Sequence, residues 1–76
     1  MKEKIKKVMS AVFEISAADI QDNDSSSTIA SWDSLNHMNL IVALEEEFNV
    51  RFEDDEIVEL TSYNAIEKQI QSKIGH

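Results

Sequence analysis

Ser34 and His37, with Asp33 beside them, are the side chains best suited to a catalytic role. A serine and a histidine three residues apart share one face of a helix, and such a pair is the core of a hydroxyl nucleophile activated by a base. The sequence contains no glycine-rich turn that could form an oxyanion hole. A chain of 76 residues is also too small for a deep, water-excluding cleft. We therefore predict that the protein is not an enzyme and that His37 faces a partner or solvent.

Calcium binding is a second chemistry that the spacing suggests. Five oxygen-bearing side chains fall at positions 1, 3, 5, 7 and 12 of an EF-hand-like register, namely Asp22, Asp24, Ser26, Thr28 and Asp33. Two informative positions do not fit this register. Ser27 stands where the sharp turn needs glycine, and Asp33 is too short to replace the bidentate glutamate. We therefore predict no metal site.

The composition limits the partners of the protein. Fifteen acidic residues against seven basic residues give a net charge of -8. Such a surface repels nucleic acid and anionic lipid and attracts basic partners. The N-terminal region has no apolar run long enough for a signal peptide or a membrane span. We expect a cytoplasmic monomer that neither binds nucleic acid nor inserts into a membrane.

The absence of cysteine sets a further limit. A chain with no cysteine has no disulfide scaffold, no thiolate zinc site and no cysteine nucleophile of its own. Any thiol chemistry would therefore need a thiol from outside the polypeptide.

The elements that position Ser34 are predicted to be helices, since the sequence has no proline and a single glycine. The first helix is predicted over residues 3–15, where five apolar side chains recur at helical spacing: Ile5, Val8, Met9, Val12 and Phe13. Residues 16–32 are predicted to form a long loop. Three apolar anchors should hold this loop against the bundle: Ile20, Ile29 and Trp32.

Three more helices complete the prediction. The second covers residues 34–48, with Asp33 as its N-cap. Acidic residues at 53–56 predict the first turn of a short third helix, and Thr61 is predicted to cap the fourth. We thus predict a single all-α domain, residues 1–76, built as a four-helix bundle with a long first loop and a short third helix.

The second helix is predicted to have a core face and a hydrophilic face. At 100° per residue, one broad arc carries Leu35, Met38, Ile41, Val42, Leu44 and Phe48. The opposite arc carries Asn36, Asn39, Ala43, Glu46 and Glu47.

From this helix outward the sequence resembles the carrier protein superfamily, which has a D-S-L motif at the start of its second helix. Asp33-Ser34-Leu35 matches that motif, and the run Ala43-Leu44-Glu45-Glu46-Glu47-Phe48 matches the end of the family's helix in register. Residues 53–57 and 61–66 lie where the family has its third helix and the start of its fourth. Helix capping alone would favour Asp-Ser at a helix start, so the three residues by themselves are a weak signal. The resemblance covers nearly the whole chain, and this agreement favours the carrier family.

The resemblance implies a cofactor. Ser34 would be esterified by the phosphate of 4'-phosphopantetheine, transferred from coenzyme A by a separate phosphopantetheinyl transferase, with Asp33 and Leu35 completing the attachment motif. A phosphodiester in the first turn of a helix gains roughly 0.3 to 1 kcal/mol from the dipole, and the Asp33 carboxylate opposes part of that gain. The implied function is a stand-alone acyl carrier that holds acyl groups as thioesters in a fatty-acid, polyketide or related specialised pathway.

The resemblance also implies partners, namely the transferase and acyl-transferring or synthase enzymes with basic docking patches. The residues predicted to meet them are Leu35, Asn36, Asn39, Glu46, Glu47, Glu53, Asp54 and Glu56. The alternative for the carboxylates is a solvated face without a partner.

Several readings stay open at this point. Asn36 and Asn39 stand where fatty-acid carriers often have acidic residues, and Ser31-Trp32 replaces a glycine-containing approach, which favours a specialised pathway. An aminoacyl or peptidyl carrier of the same fold is the alternative function. A plain acidic interaction module with an unmodified Ser34 is another, and an acyl pocket between the second and third helices is a further possibility that ordinary core packing opposes.

Overall fold

Residues 2–74 form four α-helices joined by one long and two short connections. A computed structural model describes residues 2–74, with α1 at Lys2–Phe13, α2 at Ser34–Phe48, α3 at Asp54–Ile57 and α4 at Tyr63–Lys73. A single turn of 3-10 helix, Ala17–Asp19, lies in the first loop. The predicted all-α class, with a long first loop and a short third helix, is confirmed. The predicted domain, residues 1–76, begins and ends outside the described residues. Among the helices of residues 2–74, none is long and apolar enough to cross a membrane.

The helices are held together by one apolar core. Each long helix contributes three buried side chains, which are Ile5, Met9 and Phe13 from α1, Leu40, Ile41 and Leu44 from α2, and Tyr63, Ile66 and Ile70 from α4. The spacing of three or four residues puts each set on one face, and burying such side chains contributes about 1.5 to 3 kcal/mol each. Ile20, Ile29 and Trp32 are buried in the same core, which confirms that they anchor the first loop.

The first helix ends two residues earlier than predicted. Phe13 is its last residue, and Glu14 adopts a left-handed conformation with φ of 57°. This reversal turns the chain toward the first loop. Ile15 still packs against the core after the helix has ended.

The core face predicted for α2 is partly wrong. Leu35, Met38 and Val42 are 72%, 50% and 52% exposed. Leu40, which was left out of the predicted core arc, is fully buried. The helix is apolar on two sides, so periodicity alone does not identify the side that meets α1 and α4. The exposed stripe begins next to Ser34.

The long loop is tied to the start of α4 by backbone hydrogen bonds. Ser26 N–H donates to the Thr61 carbonyl at 2.9 Å, and Tyr63 N–H donates to the Asp24 carbonyl at 3.0 Å. Between them, Ser25 and Ser62 form an isolated antiparallel bridge. Ser62 caps α4 through its hydroxyl oxygen, which accepts from Ala65 N–H at 3.1 Å. The prediction that Thr61 is the cap is therefore wrong, because pairing with the loop displaces the helix start by one residue.

Candidate functional site

Ser34 occupies the first position of α2, immediately after its cap. Asp33 has an extended backbone, and its Oδ1 accepts a hydrogen bond from Asn36 N–H at 2.8 Å, which confirms the predicted N-cap. The Ser34 side chain is exposed. The N–H groups of the first turn have no intrahelical acceptors, so the hydroxyl stands at the positive end of a 15-residue helix dipole.

The turn that leads into Ser34 is braced against α1. Asn36 Nδ2 donates to the Ser31 carbonyl at 2.8 Å, and the Ser31 hydroxyl donates to the Phe13 carbonyl at 2.9 Å. The Trp32 ring also packs on the Phe13 ring, with centroids 4.9 Å apart. The two contacts to Phe13 span the whole first loop in sequence, so no local pattern predicted them. They hold the start of α2 in a defined orientation.

His37 is half-buried, and both of its ring nitrogens have hydrogen-bond partners within the chain. Its Nδ1 accepts from Trp32 Nε1–H at 3.1 Å, and its Nε2 lies 2.8 Å from the Ile57 carbonyl oxygen. The indole N–H can only donate and the carbonyl can only accept, so the proton of the neutral ring sits on Nε2. The prediction of a surface histidine is wrong. Both ring nitrogens are occupied, which also removes His37 as a base for Ser34.

A shallow groove of about 640 Å³ runs beside Ser34. Its walls come from α2, from the end of α3 and from the first loop, and they include Ser34, Trp32, His37, Met38, Ile57 and Val58. Val58 is 71% exposed, so the apolar surface continues across from the stripe on α2. Ser34 thus stands at the rim of an open apolar groove.

The residues predicted to bind partners divide into two groups. Glu46, Glu53 and Asp54 are exposed and appear in no ion pair among residues 2–74. Glu47 lies 3.5 Å from Lys4 Nζ, and Glu56 lies 2.7 Å from Lys73 Nζ.

The two asparagines predicted to bind partners are bonded within the chain. Asn36 is committed to Ser31, and Asn39 Nδ2 donates to Asn36 Oδ1 at 3.2 Å. Leu35 projects from the same helix and is freely exposed. Partner binding by these eight residues stays a prediction.

Two carboxyl groups near the ends of the bundle have altered acidity. The pKa of Glu56 lies below its ordinary value, first because its side chain accepts from Glu53 N–H and then because of Lys73. The pKa of Asp22 is also lowered, by hydrogen bonds from Lys2 and then Lys6. The Asp22 pair in turn raises the pKa of Lys2. These pairs attach the short helix to α4 and the first loop to α1.

The carboxylates of the calcium register are used by neighbouring groups. Asp22 pairs with Lys2 at 2.8 Å and with Lys6 at 2.9 Å. Asp24 accepts from Gln21 N–H and from the Thr28 hydroxyl, each at 2.8 Å. Within the described part of the chain, no group of three histidine or carboxylate side chains is arranged to hold a metal ion.

Comparison with known proteins gives consistent matches. The model of the family described as "Phosphopantetheine attachment site" matches residues 3–70. The acyl carrier protein of Buchnera aphidicola subsp. Schizaphis graminum (strain Sg) is 36% identical over 70 residues, which cover 92% of this chain and 85% of that protein. The solution structure of the holo acyl carrier protein from Geobacter metallireducens superposes with a TM-score of 0.85 at 27% identity, covering 96% of this chain and 84% of that one.

Proposed function

This chain belongs to the acyl carrier protein family, which is defined by a phosphopantetheine attachment site, and we propose that Ser34 is its point of attachment. Members of this family are carriers and not enzymes, and the same holds for this chain. Its cofactor is covalently bound 4'-phosphopantetheine. The observation that carries the assignment of the residue is the exposed hydroxyl at the first position of α2.

The surroundings of Ser34 fit a phosphodiester. The hydroxyl is accessible, and the first-turn N–H groups and the helix dipole favour a negative charge there by about 0.3 to 1 kcal/mol. Asp33 accepts a hydrogen bond from Asn36 N–H, which holds its carboxylate at the helix start as the cap. Residues Ser34, Asp33 and Leu35 would together hold the attached end of the group.

The proposed loading step uses Ser34 as the acceptor. The Ser34 oxygen forms a bond to the phosphorus that bears pantetheine in coenzyme A and loses its proton. The pyrophosphate bond of coenzyme A breaks, and adenosine 3',5'-bisphosphate leaves. The chain supplies an exposed hydroxyl but has both His37 nitrogens occupied, so the transferase must supply the base.

When bound, the cofactor supplies the thiol that this cysteine-free chain lacks, and acyl groups are held on it as thioesters. The chain's own contribution is to present the attachment point on a rigid helix end, braced by Ser31 and Asn36. Tethering raises the local concentration of cargo at a docked enzyme, so each docking contact can be weak and brief.

We propose acyl intermediates of fatty-acid or related specialised biosynthesis as the cargo. The name of the Buchnera relative, an acyl carrier protein, supports acyl groups over aminoacyl or peptidyl groups. The exposed apolar stripe on α2 and the acidic surface around it suit transferases and synthases that have basic, partly apolar docking patches. The cytoplasm is the location that we propose for this chain.

The proposal is tested by loading. The purified chain is incubated with coenzyme A and a broad-specificity phosphopantetheinyl transferase, and the product is analysed by intact and peptide mass spectrometry. We expect one phosphopantetheine on the peptide that contains Ser34, none on Ser34→Ala, and normal loading of Ser27→Ala, which removes another exposed serine. Loading that persists in Ser34→Ala would overturn the assignment.

A further inference from the structure

His37 joins the short helix α3 to the segment that leads into Ser34. On one side it bonds the Ile57 carbonyl at the end of α3, and on the other it accepts from the Trp32 indole. Trp32 lies two residues before Ser34, and Trp32, His37 and Ser34 all line the same groove. The connection therefore passes directly beside the proposed attachment point.

We propose that His37 is a positioning residue that links α3 to the approach of Ser34 only while its imidazole is neutral. The link itself follows from the hydrogen bonds, and its consequence for loading rests on the proposed function of Ser34. The hydrogen bond from Trp32 needs an unprotonated Nδ1, which only the neutral ring has.

Protonation would open one side of the link. The ring takes a proton from solvent on Nδ1, and an imidazolium has two N–H donors and no acceptor. Two donors then face each other between His37 and Trp32, so that hydrogen bond is lost. The bond from Nε2 to the Ile57 carbonyl remains and gains from the positive charge. His37 thus stays on α3 and releases Trp32.

Loss of the hydrogen bond to His37 leaves the Trp32 indole N–H without an acceptor. The Trp32 side chain is buried and packed on Phe13, although it also contributes to the groove wall. A buried donor without an acceptor is unfavourable, and the indole must move for water to reach it. Any such movement reaches Asp33 and Ser34 through the adjoining backbone and changes the wall of the groove.

The charged side chains on the segments next to His37 are all acidic, and a positive charge on the ring is not opposed by another cation there. The segment before α2 carries Asp33, and α3 with its flanking residues carries Glu53, Asp54, Asp55, Glu56 and Glu59. All are carboxylates. Asp33 is engaged in the cap and Glu56 with Lys73, so neither is free to replace His37 as the acceptor for the indole.

The link can be tested directly because Trp32 is the only tryptophan of the chain. The chain has two histidines, so His76→Gln is introduced throughout to leave His37 as the only one. Nitrogen-15 NMR follows the His37 ring, and proton NMR follows the Trp32 Nε1–H, from pH 8 to pH 5. At pH 8 we expect a proton on Nε2 only. As the ring takes up its second proton, the Trp32 Nε1–H signal should shift in step.

His37→Gln is the matched control, because glutamine offers an acceptor and a donor and does not titrate in this range. At a pH where the nitrogen-15 spectrum shows His37 protonated, we expect the Trp32 Nε1–H to exchange with solvent about tenfold faster in the His37 chain than in His37→Gln, and at pH 8 we expect equal rates. The link would be contradicted if the indole signal did not shift as His37 takes up its second proton, or if it shifted equally in His37→Gln.

Loading provides the second readout. At each pH, the loading rate of the His37 chain is divided by that of His37→Gln, which cancels the pH dependence of the transferase itself. We expect this ratio to change between pH 8 and pH 5.5. A constant ratio would overturn the positioning role. If Ser34 is not loaded at any of the pH values tested, the proposed function is wrong. The NMR result decides independently whether the link between Trp32 and His37 exists.

Discussion

Glu56 of α3 and Lys73 of α4 form an ion pair in which Lys73 Nζ lies 2.7 Å from Glu56 Oε1. The same oxygen accepts from Glu53 N–H at 2.8 Å, so one carboxylate both completes the start of α3 and fastens it to the last turn of α4. Lys73 also lies over the buried Phe52 ring, 5.4 Å from its centroid. A helix of four residues cannot hold itself together, and this contact supplies part of what holds it.

The Glu56 contact predicts an acid-sensitive stability. The pKa of Glu56 is lower in the folded chain than its ordinary value, so its contribution is fully present above the ordinary value and is lost as the pH falls through the folded pKa. Glu56→Gln should unfold at a lower temperature than the parent chain at pH 7. The difference should shrink as the pH falls toward 3. Thermal unfolding followed by circular dichroism at several pH values measures it, and a difference that grows in acid would contradict the assignment.

The cap of α4 gives a prediction that separates two adjacent residues. Ser62→Ala should lower the free energy of unfolding by about 1 kcal/mol, because the Ala65 N–H loses its acceptor. Thr61→Ala should change it by less than about 0.5 kcal/mol, since Thr61 is exposed and contributes its backbone carbonyl to the loop. Urea unfolding of both variants decides the matter, and a larger loss in Thr61→Ala would restore the cap predicted from the sequence.

Tyr63 carries a buried hydroxyl with no hydrogen-bond partner among the described residues. Burial raises its pKa to about 12, and the nearby carboxylates of Glu67 and Asp22 add to the effect. Because the pKa is raised in the folded chain, the contribution of Tyr63 to the free energy of unfolding is fully present below the ordinary pKa near 10. That contribution is lost as the pH rises through about 12.

Tyr63→Phe removes that hydroxyl while keeping the ring in the core. We expect its free energy of unfolding to be equal to or higher than that of the parent, because no hydrogen bond is lost. Since the chain has one tyrosine, ultraviolet absorbance at alkaline pH reports its ionisation directly. A loss of more than about 1 kcal/mol in Tyr63→Phe would show that the hydroxyl is bonded in solution.

Leu35 tests the docking surface next to Ser34. Because Leu35 is largely exposed, Leu35→Ala should change the free energy of unfolding by less than about 0.5 kcal/mol. Loading of Ser34 should nevertheless slow by about tenfold in kcat/KM, if Leu35 enters an apolar patch on the transferase. Val42→Ala, on the same exposed stripe but two turns away, is the matched control. Equal effects of the two variants would argue against a specific role for Leu35.

Local sequence signals were sufficient for the position of Ser34. The cap residue Asp33 and the run of helix-forming residues after it act over three or four positions, and the structure places the helix where they predict it, Ser34–Phe48. The loop anchors Ile20, Ile29 and Trp32 were also predictable, because isolated apolar residues in a polar segment have few ways to leave water.

The inward face of α2 needed the tertiary structure. Leu35, Met38 and Val42 are as apolar as Leu40, Ile41 and Leu44, yet only the second set is buried in the core. A helix that is apolar on two sides has two faces of similar burial energy. The choice between them depends on how the loops orient it.

The class of fold, the start of α2 and the family of the attachment motif could therefore all be predicted from local sequence. The hydrogen bonds between distant polar groups could not, as with His37 and Ile57, 20 residues apart, or Ser26 and Thr61. Capping and periodicity act between residues within one or two turns. Hydrogen bonds between distant segments form only once the whole bundle has brought their atoms within about 3 Å.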